Sequence, residues 1–179
     1  MARYLIFDTE TTDLIANELL DIKQQPRIIE FYGALYDDSI ERVLDEFETY
    51  IDPKQPLQEK IKKITGIKDE DLKGQPTFEV VAEPIRRLIH SADAVVAHNL
   101  SFDIAVVEAE FSRIGWKVLW PHRRICTVEA TEWINGYRLR LGDLYESLFD
   151  ERFEGAHRAR VDTQALARCF AKMKQLGEV

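Results

Sequence analysis

Residues 4–13, YLIFDTETTD, put an apolar run from Tyr4 to Phe7 directly before Asp8 and Glu10. A carboxylate carried toward an apolar interior is costly unless something cancels its charge. On a strand, residues two apart point to one face, so Asp8 and Glu10 can aim at a single point. In open α/β sheets ligands bind just outside the carboxyl ends of the strands. The Asp-Thr-Glu trio alone fits a solvated turn equally well, since Asp and Thr both favour turns.

Two later stretches repeat the theme. In AHNLSFD (97–103) a short apolar strand ends and Asp103 opens a helix. By itself, Asp103 need only stabilise that helix N-terminus. In HRARVDT (157–163), His157 and Asp162 are five residues apart. Five helical steps turn through about 500°, so the two would not share a helical face. Gly155 suggests that His157 lies on a loop before the helix, while Asp162 enters from its first turn. Four carboxylates brought to one place repel one another without a cation. All-oxygen ligands suit Mg²⁺ or Mn²⁺ rather than zinc. Two such ions, about 3.5–4 Å apart, stabilise the attacking and leaving oxygens in phosphodiester hydrolysis.

The surrounding sequence sets these acids in an alternating frame. RIIEFYGALYD (27–37) and RVLDEFETYID (42–52) are rich in aromatic and branched residues and are joined by a polar stretch, which predicts a hairpin. Pro53 and Pro56 end it. Leu57, Ile61 and Ile64 have helical spacing before Gly66. Thr77 opens a helix in which Glu83-Pro84 marks a kink or a late start. DAVVAHN (93–99) and RRICT read as strands. FDIAVVEAEFSRIG, VEATEWI, LGDLYESLF and RVDTQALARCFAKMKQL read as helices. Strands followed by alternating helices and strands indicate an α/β fold with a central mixed sheet.

The 179 residues suit one domain, 1–179. No apolar run approaches the roughly 20 residues of a membrane span, and the N-terminus lacks a signal-peptide pattern. A cytoplasmic protein with no membrane partner is expected. Cys126 and Cys169 show no metal-type spacing and read as free thiols. The net charge of −8 argues against coating nucleic acid by bulk electrostatics. It leaves room for a local grip, for which Arg123/Arg124, Arg138/Arg140 and Arg158/Arg160 are candidates.

FDTETT, HNLSFD and HRARVD, in this order, resemble the three motifs of the DEDD 3′–5′ exonucleases, His-containing subtype. RIIEFYGAL, ITGIKDEDLKGQPTFEVV and ICTVEATEW resemble the family's intervening segments, so the similarity spans nearly the whole chain. The resemblance implies a ribonuclease H-like three-layer α/β fold, a central mixed sheet flanked by helices. It implies that Asp8, Glu10, Asp103 and Asp162 hold two Mg²⁺ or Mn²⁺ ions. His157 would be the general base. Thr11, Thr12, Leu14, His98, Asn99 and Phe102 would hold the terminal nucleotide. The implied partner is nucleic acid with a free 3′ end, single-stranded DNA first and RNA as the alternative.

Asp13 stands where the family usually has Gly, residues 15–26 are longer than in most relatives, and Tyr32 adds a residue suggestive of a bulge. The chain ends soon after the third motif. That points to a stand-alone enzyme or a different docking surface, with a polymerase or another replication or repair protein as candidate partner. Two other classes compete: a non-catalytic nucleic-acid-binding subunit that retains the fold, and a metal phosphoesterase acting on free nucleotides. Retention of all five motif residues argues against the first.

Overall fold

The structure, a computed structural model, describes residues 2–14, 21–38 and 42–179, without the side chains at 133 and 135. Five strands form one mixed sheet: β1 (Arg3–Thr11), β2 (Ile28–Asp37), β3 (Arg42–Tyr50), β4 (Ala94–Ala97) and β5 (Arg123–Cys126). Their order is β3-β2-β1-β4-β5. The first three pair antiparallel, whereas β4 runs parallel to β1 and to β5. Among the described residues, seven α-helices accompany them: α1 (Glu59–Thr65), α2 (Asp69–Leu72), α3 (Phe78–Ser91), α4 (Leu100–Arg113), α5 (Thr127–Asn135), α6 (Leu141–Phe149) and α7 (Ala159–Leu176). None of them is long and apolar enough to cross a membrane.

The alternation in β1 divides the molecule into layers. Leu5 and Phe7 pack with α3 and α4 through Val81, Ile85, Val107 and Phe111. Tyr4 and Ile6 face the other side and pack with Leu166 and Phe170 of α7. The three-layer α/β arrangement expected from the sequence is therefore present.

Several local expectations resolve differently. Helix α3 runs through Pro84 without a late start, because Phe78, Val81, Ala82, Ile85, Leu88 and Ile89 bury one continuous face. Tyr32 is in regular register with Asp8 on one side and Glu48 on the other. The irregularity lies three residues earlier: Glu10 pairs with Glu30 and Thr11 with Ile28, which leaves Ile29 as the extra residue. Bulges re-aim side chains at sheet ends, and this one lies beside Glu10. Gly66 ends α1 at φ 72, where its N–H reaches Lys62 O. Such a left-handed cap is cheap for glycine. Much of the long segment before β2 lies outside the described residues. Its last part is pinned to α4: buried Glu110 accepts from Arg27 Nε at 2.8 Å and from the Ile28 N–H at 3.1 Å, while Arg113 donates to the carbonyls of Ile22 and Gln25.

Candidate active site

Strand β1 continues past its apolar half, so Asp8 and Glu10 follow Tyr4 and Ile6 on the α7 face, both half-buried. Thr9, between them, faces α4 and donates from Oγ1 to Asp103 Oδ1 at 2.7 Å. Asp103 lies in the first turn of α4 and is 3% exposed. Asp162 lies in the first turn of α7 and accepts the His157 N–H at 2.8 Å. His157 precedes the helix, is exposed, and has a left-handed backbone at φ 67. Ligand atoms of Glu10, His157 and Asp162 all lie within 4.8 Å of one another.

Electrostatics explain what such a group lacks. Burial, then the charges of Asp103, Glu10 and Asp162, push the Asp8 carboxyl well above its ordinary range. Burial first, then Asp162 and Glu30, raises Glu10 to about 8. Burial raises Asp103 to about 7 against the opposing hydrogen bonds of Thr9. Asp162 is also raised by burial, despite the His157 N–H. Each of the four acids thus holds its proton more tightly than an ordinary carboxyl, as in a site short of positive charge. A hard divalent cation fits this donor set of carboxylate oxygens.

The residues expected to meet the nucleotide separate into two groups. Thr11 donates to Asp13 O at 2.7 Å, and Thr12 Oγ1 accepts the Arg27 N–H at 2.9 Å. His98 faces the Leu139 carbonyl with Nε2 at 3.1 Å and the Thr127 hydroxyl with Nδ1 at 2.9 Å. A carbonyl partner requires Nε2–H, so Nδ1 accepts from Thr127, and burial lowers the His98 pKa to about 4. The side-chain polar atoms of these three residues each have a partner within the chain. Leu14, 67% exposed, Asn99, exposed at the start of α4, and half-buried Phe102 remain accessible. Asp13 takes up the Leu14 N–H, Gln58 Nε2 and Lys60 Nζ, tying this loop to the start of α1.

The arginine pairs also separate. Arg123 bonds Tyr4 Oη at the start of β5, the end of the sheet away from the acids. Arg158 is held by Glu30, and Arg160 by Glu48. The remaining pair, Arg138 and Arg140, follows exposed Tyr137 in a loop next to the site and flanks Leu139, whose carbonyl faces His98 Nε2. Arg138 there is paired with Glu132, and Arg140 is exposed. Sequence reading passed over two residues of this neighbourhood, Thr9 and Glu30. Strand alternation marks Thr9 as facing the α4 side, and Glu30 is the single acid inside the apolar run of β2.

Residues 5–170 match the family model RNase_T, described as Exonuclease. The chain is 32% identical over 178 residues to the PolC-type DNA polymerase III of Staphylococcus saprophyticus, covering 98% of this chain and 12% of that one. It is 28% identical to the corresponding polymerase of Caldanaerobacter subterraneus, covering 95% of this chain and 11% of that one. The chain thus spans only a small part of these curated relatives. In fold it is similar to the nuclease domain of 3′hExo, a DEDDh family member solved with rAMP, at a TM-score of 0.79 and 18% identity over 98% of this chain and 93% of that one. It is also similar to exonuclease I, at a TM-score of 0.80 and 19% identity over 98% of this chain and 41% of that one. The family match from strand β1 to helix α7 shows that this chain belongs to the RNase_T exonuclease family, and its fold is that of the DEDDh nuclease domain.

Proposed function

We propose that this domain hydrolyses single-stranded DNA from its 3′ end, releasing nucleoside 5′-monophosphates, with two Mg²⁺ or Mn²⁺ ions and His157 as general base. The observation that carries this reading is the meeting of Glu10 of β1 with His157 and Asp162, whose ligand atoms lie within 4.8 Å of one another, with Asp103 near enough to raise the Glu10 carboxyl and Asp8 raised by Asp103, Glu10 and Asp162. Asp8, Glu10, Asp103 and Asp162 would hold the ions. Bound there, divalent cations supply charge stabilisation to the phosphate and its attacking and leaving oxygens. An imidazole nitrogen of His157 takes the proton from the attacking water. The water oxygen forms the new bond to phosphorus, the bond from phosphorus to the upstream 3′ oxygen breaks, and that oxygen takes a proton from a solvent water to leave as a hydroxyl.

Leu14 and Phe102 would pack against the terminal base and Asn99 would bond its nucleotide. Thr11, Thr12 and His98 would support that pocket through their internal bonds. Stacking on apolar and aromatic side chains tolerates any base, so sequence preference is weak. Tyr137, Arg138 and Arg140 would meet the upstream strand. DNA is favoured because the sequence relatives are DNA polymerases, and a polymerase or another replication or repair protein is the corresponding partner.

The test uses matched DNA and RNA oligonucleotides with a block at either end, in Mg²⁺ or Mn²⁺. Stepwise mononucleotide release that stops with a 3′ block and continues with a 5′ block is expected, faster on DNA. Faster loss of RNA would make this an exoribonuclease. Cleavage of circular single strands at the linear rate would refute the exonuclease reading.

A further inference from the structure

Glu30 lies where a carboxylate is least expected. It is 2% exposed and directly opposite Glu10 in the ladder between β1 and β2. Like charges opposite one another in a ladder are destabilising. Glu30 is satisfied instead from the α7 side. Arg158 donates to it through Nη2 at 2.9 Å and through Nε at 3.2 and 3.3 Å, and the Ala159 N–H donates at 3.1 Å. Arg158 also donates to the Tyr50 hydroxyl and lies over the Tyr50 ring, 5.4 Å from its centre. With its oxygens engaged in this way, Glu30 is not placed as a fifth metal ligand.

Arg158 immediately follows His157. The His157 side chain is exposed, its backbone adopts a left-handed conformation that costs energy outside glycine, and its own N–H is spent on Asp162. The segment is therefore fixed at both flanks of the imidazole: by Asp162 through the backbone, and by Glu30 and Tyr50 through Arg158.

We propose that Glu30 and Arg158 are positioning residues, an ion pair of a buried carboxylate and a partly exposed guanidinium that holds His157 over Glu10 and Asp162. This rests on the reading of His157 as general base. A guanidinium is required at 158 because a planar fork reaches Glu30 with two nitrogens while still meeting Tyr50. Lysine keeps the charge and loses the fork.

The test is a double-mutant cycle on a 3′-labelled oligonucleotide in Mg²⁺, with Arg158→Lys and Glu30→Gln each made in the wild-type and His157→Ala backgrounds. Misplacing a catalytic group by about 1 Å can cost 10²-fold, so Arg158→Lys lowers kcat by roughly 10- to 100-fold while KM stays within about twofold. In the His157→Ala background it costs nothing further, because groups acting as a unit are not additive. Equal losses in both backgrounds would overturn the proposal, since a general structural defect adds. If His157→Ala alone leaves turnover intact, the base assignment fails instead, so the two failures are distinguishable. Should Arg158→Lys or Glu30→Gln not fold, Tyr50→Phe serves in the same cycle by removing one acceptor from Arg158. A several-fold kcat loss confined to the background retaining His157 supports the proposal, and any other pattern overturns it.

Discussion

Replacing Asp103 with Asn should make the metal-free protein more stable at pH 8 while removing most of its activity. Asn retains an oxygen to accept the Thr9 hydroxyl bond, which spans 2.7 Å in the wild type, and removes the buried charge. The Asp103 carboxyl moves from an ordinary 3.8 to about 7 on folding. The folded state therefore binds the proton more tightly than the unfolded state. Stability from this group falls as pH rises from about 4 through about 7. At 1.36 kcal/mol per unit the full effect is about 4 kcal/mol, shared with the neighbouring acids, so about 2 kcal/mol is a cautious expectation. For a domain of this size that corresponds to a melting temperature higher by about 4–8 °C. His98 works in the opposite direction at lower pH: its folded pKa of about 4 lies below the ordinary 6.5, so its contribution to stability is lost as pH falls through that interval. The difference between variant and wild type cancels this term. Thermal melts of both proteins in a chelator from pH 5 to 8 should show that difference growing with pH and then vanishing when Mg²⁺ is added to the wild type. An Asp103→Asn variant less stable than wild type at pH 8 without metal would refute the claim that uncompensated charge strains the site.

His157→Ala should lower turnover by roughly 10² to 10⁴, the usual range for a lost general base; a melting-temperature rise with Mg²⁺ should persist, and steady-state kinetics beside melts check both. Excess Mg²⁺ at about 100 times its Kd should stabilise the wild type by about 2.7 kcal/mol, and Glu10→Gln should lose most of that gain in the same melts. Replacing Arg138 and Arg140 by Gln should reduce the dependence of binding on log salt by about 0.7 per lost phosphate contact on single strands; an unchanged slope in fluorescence titrations would remove this loop from the strand path.

The placement of the candidate site residues on their elements was legible in local spacing, whereas their grouping as one metal site came from the family resemblance. The two-residue spacing of Asp8 and Glu10, the helix-opening place of Asp103 and the loop-then-helix arrangement of His157 and Asp162 all follow from local geometry, and the structure has them so. What escaped depends on pairing between distant segments. Nothing near Glu30 in the chain announces that it faces Glu10, because that register is set by the bulge at Ile29. Nothing near His98 in the chain announces its partners Thr127 and Leu139, which lie far along the sequence. The arginine pairs looked equivalent in sequence, yet the parallel direction of β5 carries Arg123 to the wrong end of the sheet, and Glu30 and Glu48 occupy Arg158 and Arg160.

The opening conflict, acids at the end of a buried strand, has its answer in the same alternation that builds the core. Tyr4 and Ile6 pack on Leu166 and Phe170 of α7, and Asp8 and Glu10 continue that face. On α7, Asp162, Leu166 and Phe170 are spaced by four, so they share one side of the helix. The packing that docks α7 therefore also carries Asp162 toward the β1 acids. Any core substitution that rotates α7, Phe170→Ala above all, should move Asp162 relative to Glu10. It should weaken Mg²⁺ stabilisation by more than its loss of hydrophobic burial predicts, whereas a similarly sized truncation on the opposite layer, such as Phe78→Ala against α4, should lower stability and leave the Mg²⁺ response intact. Paired melts with and without Mg²⁺ separate the two, and equal Mg²⁺ responses in both variants would show that the acids are aligned by something other than this shared face.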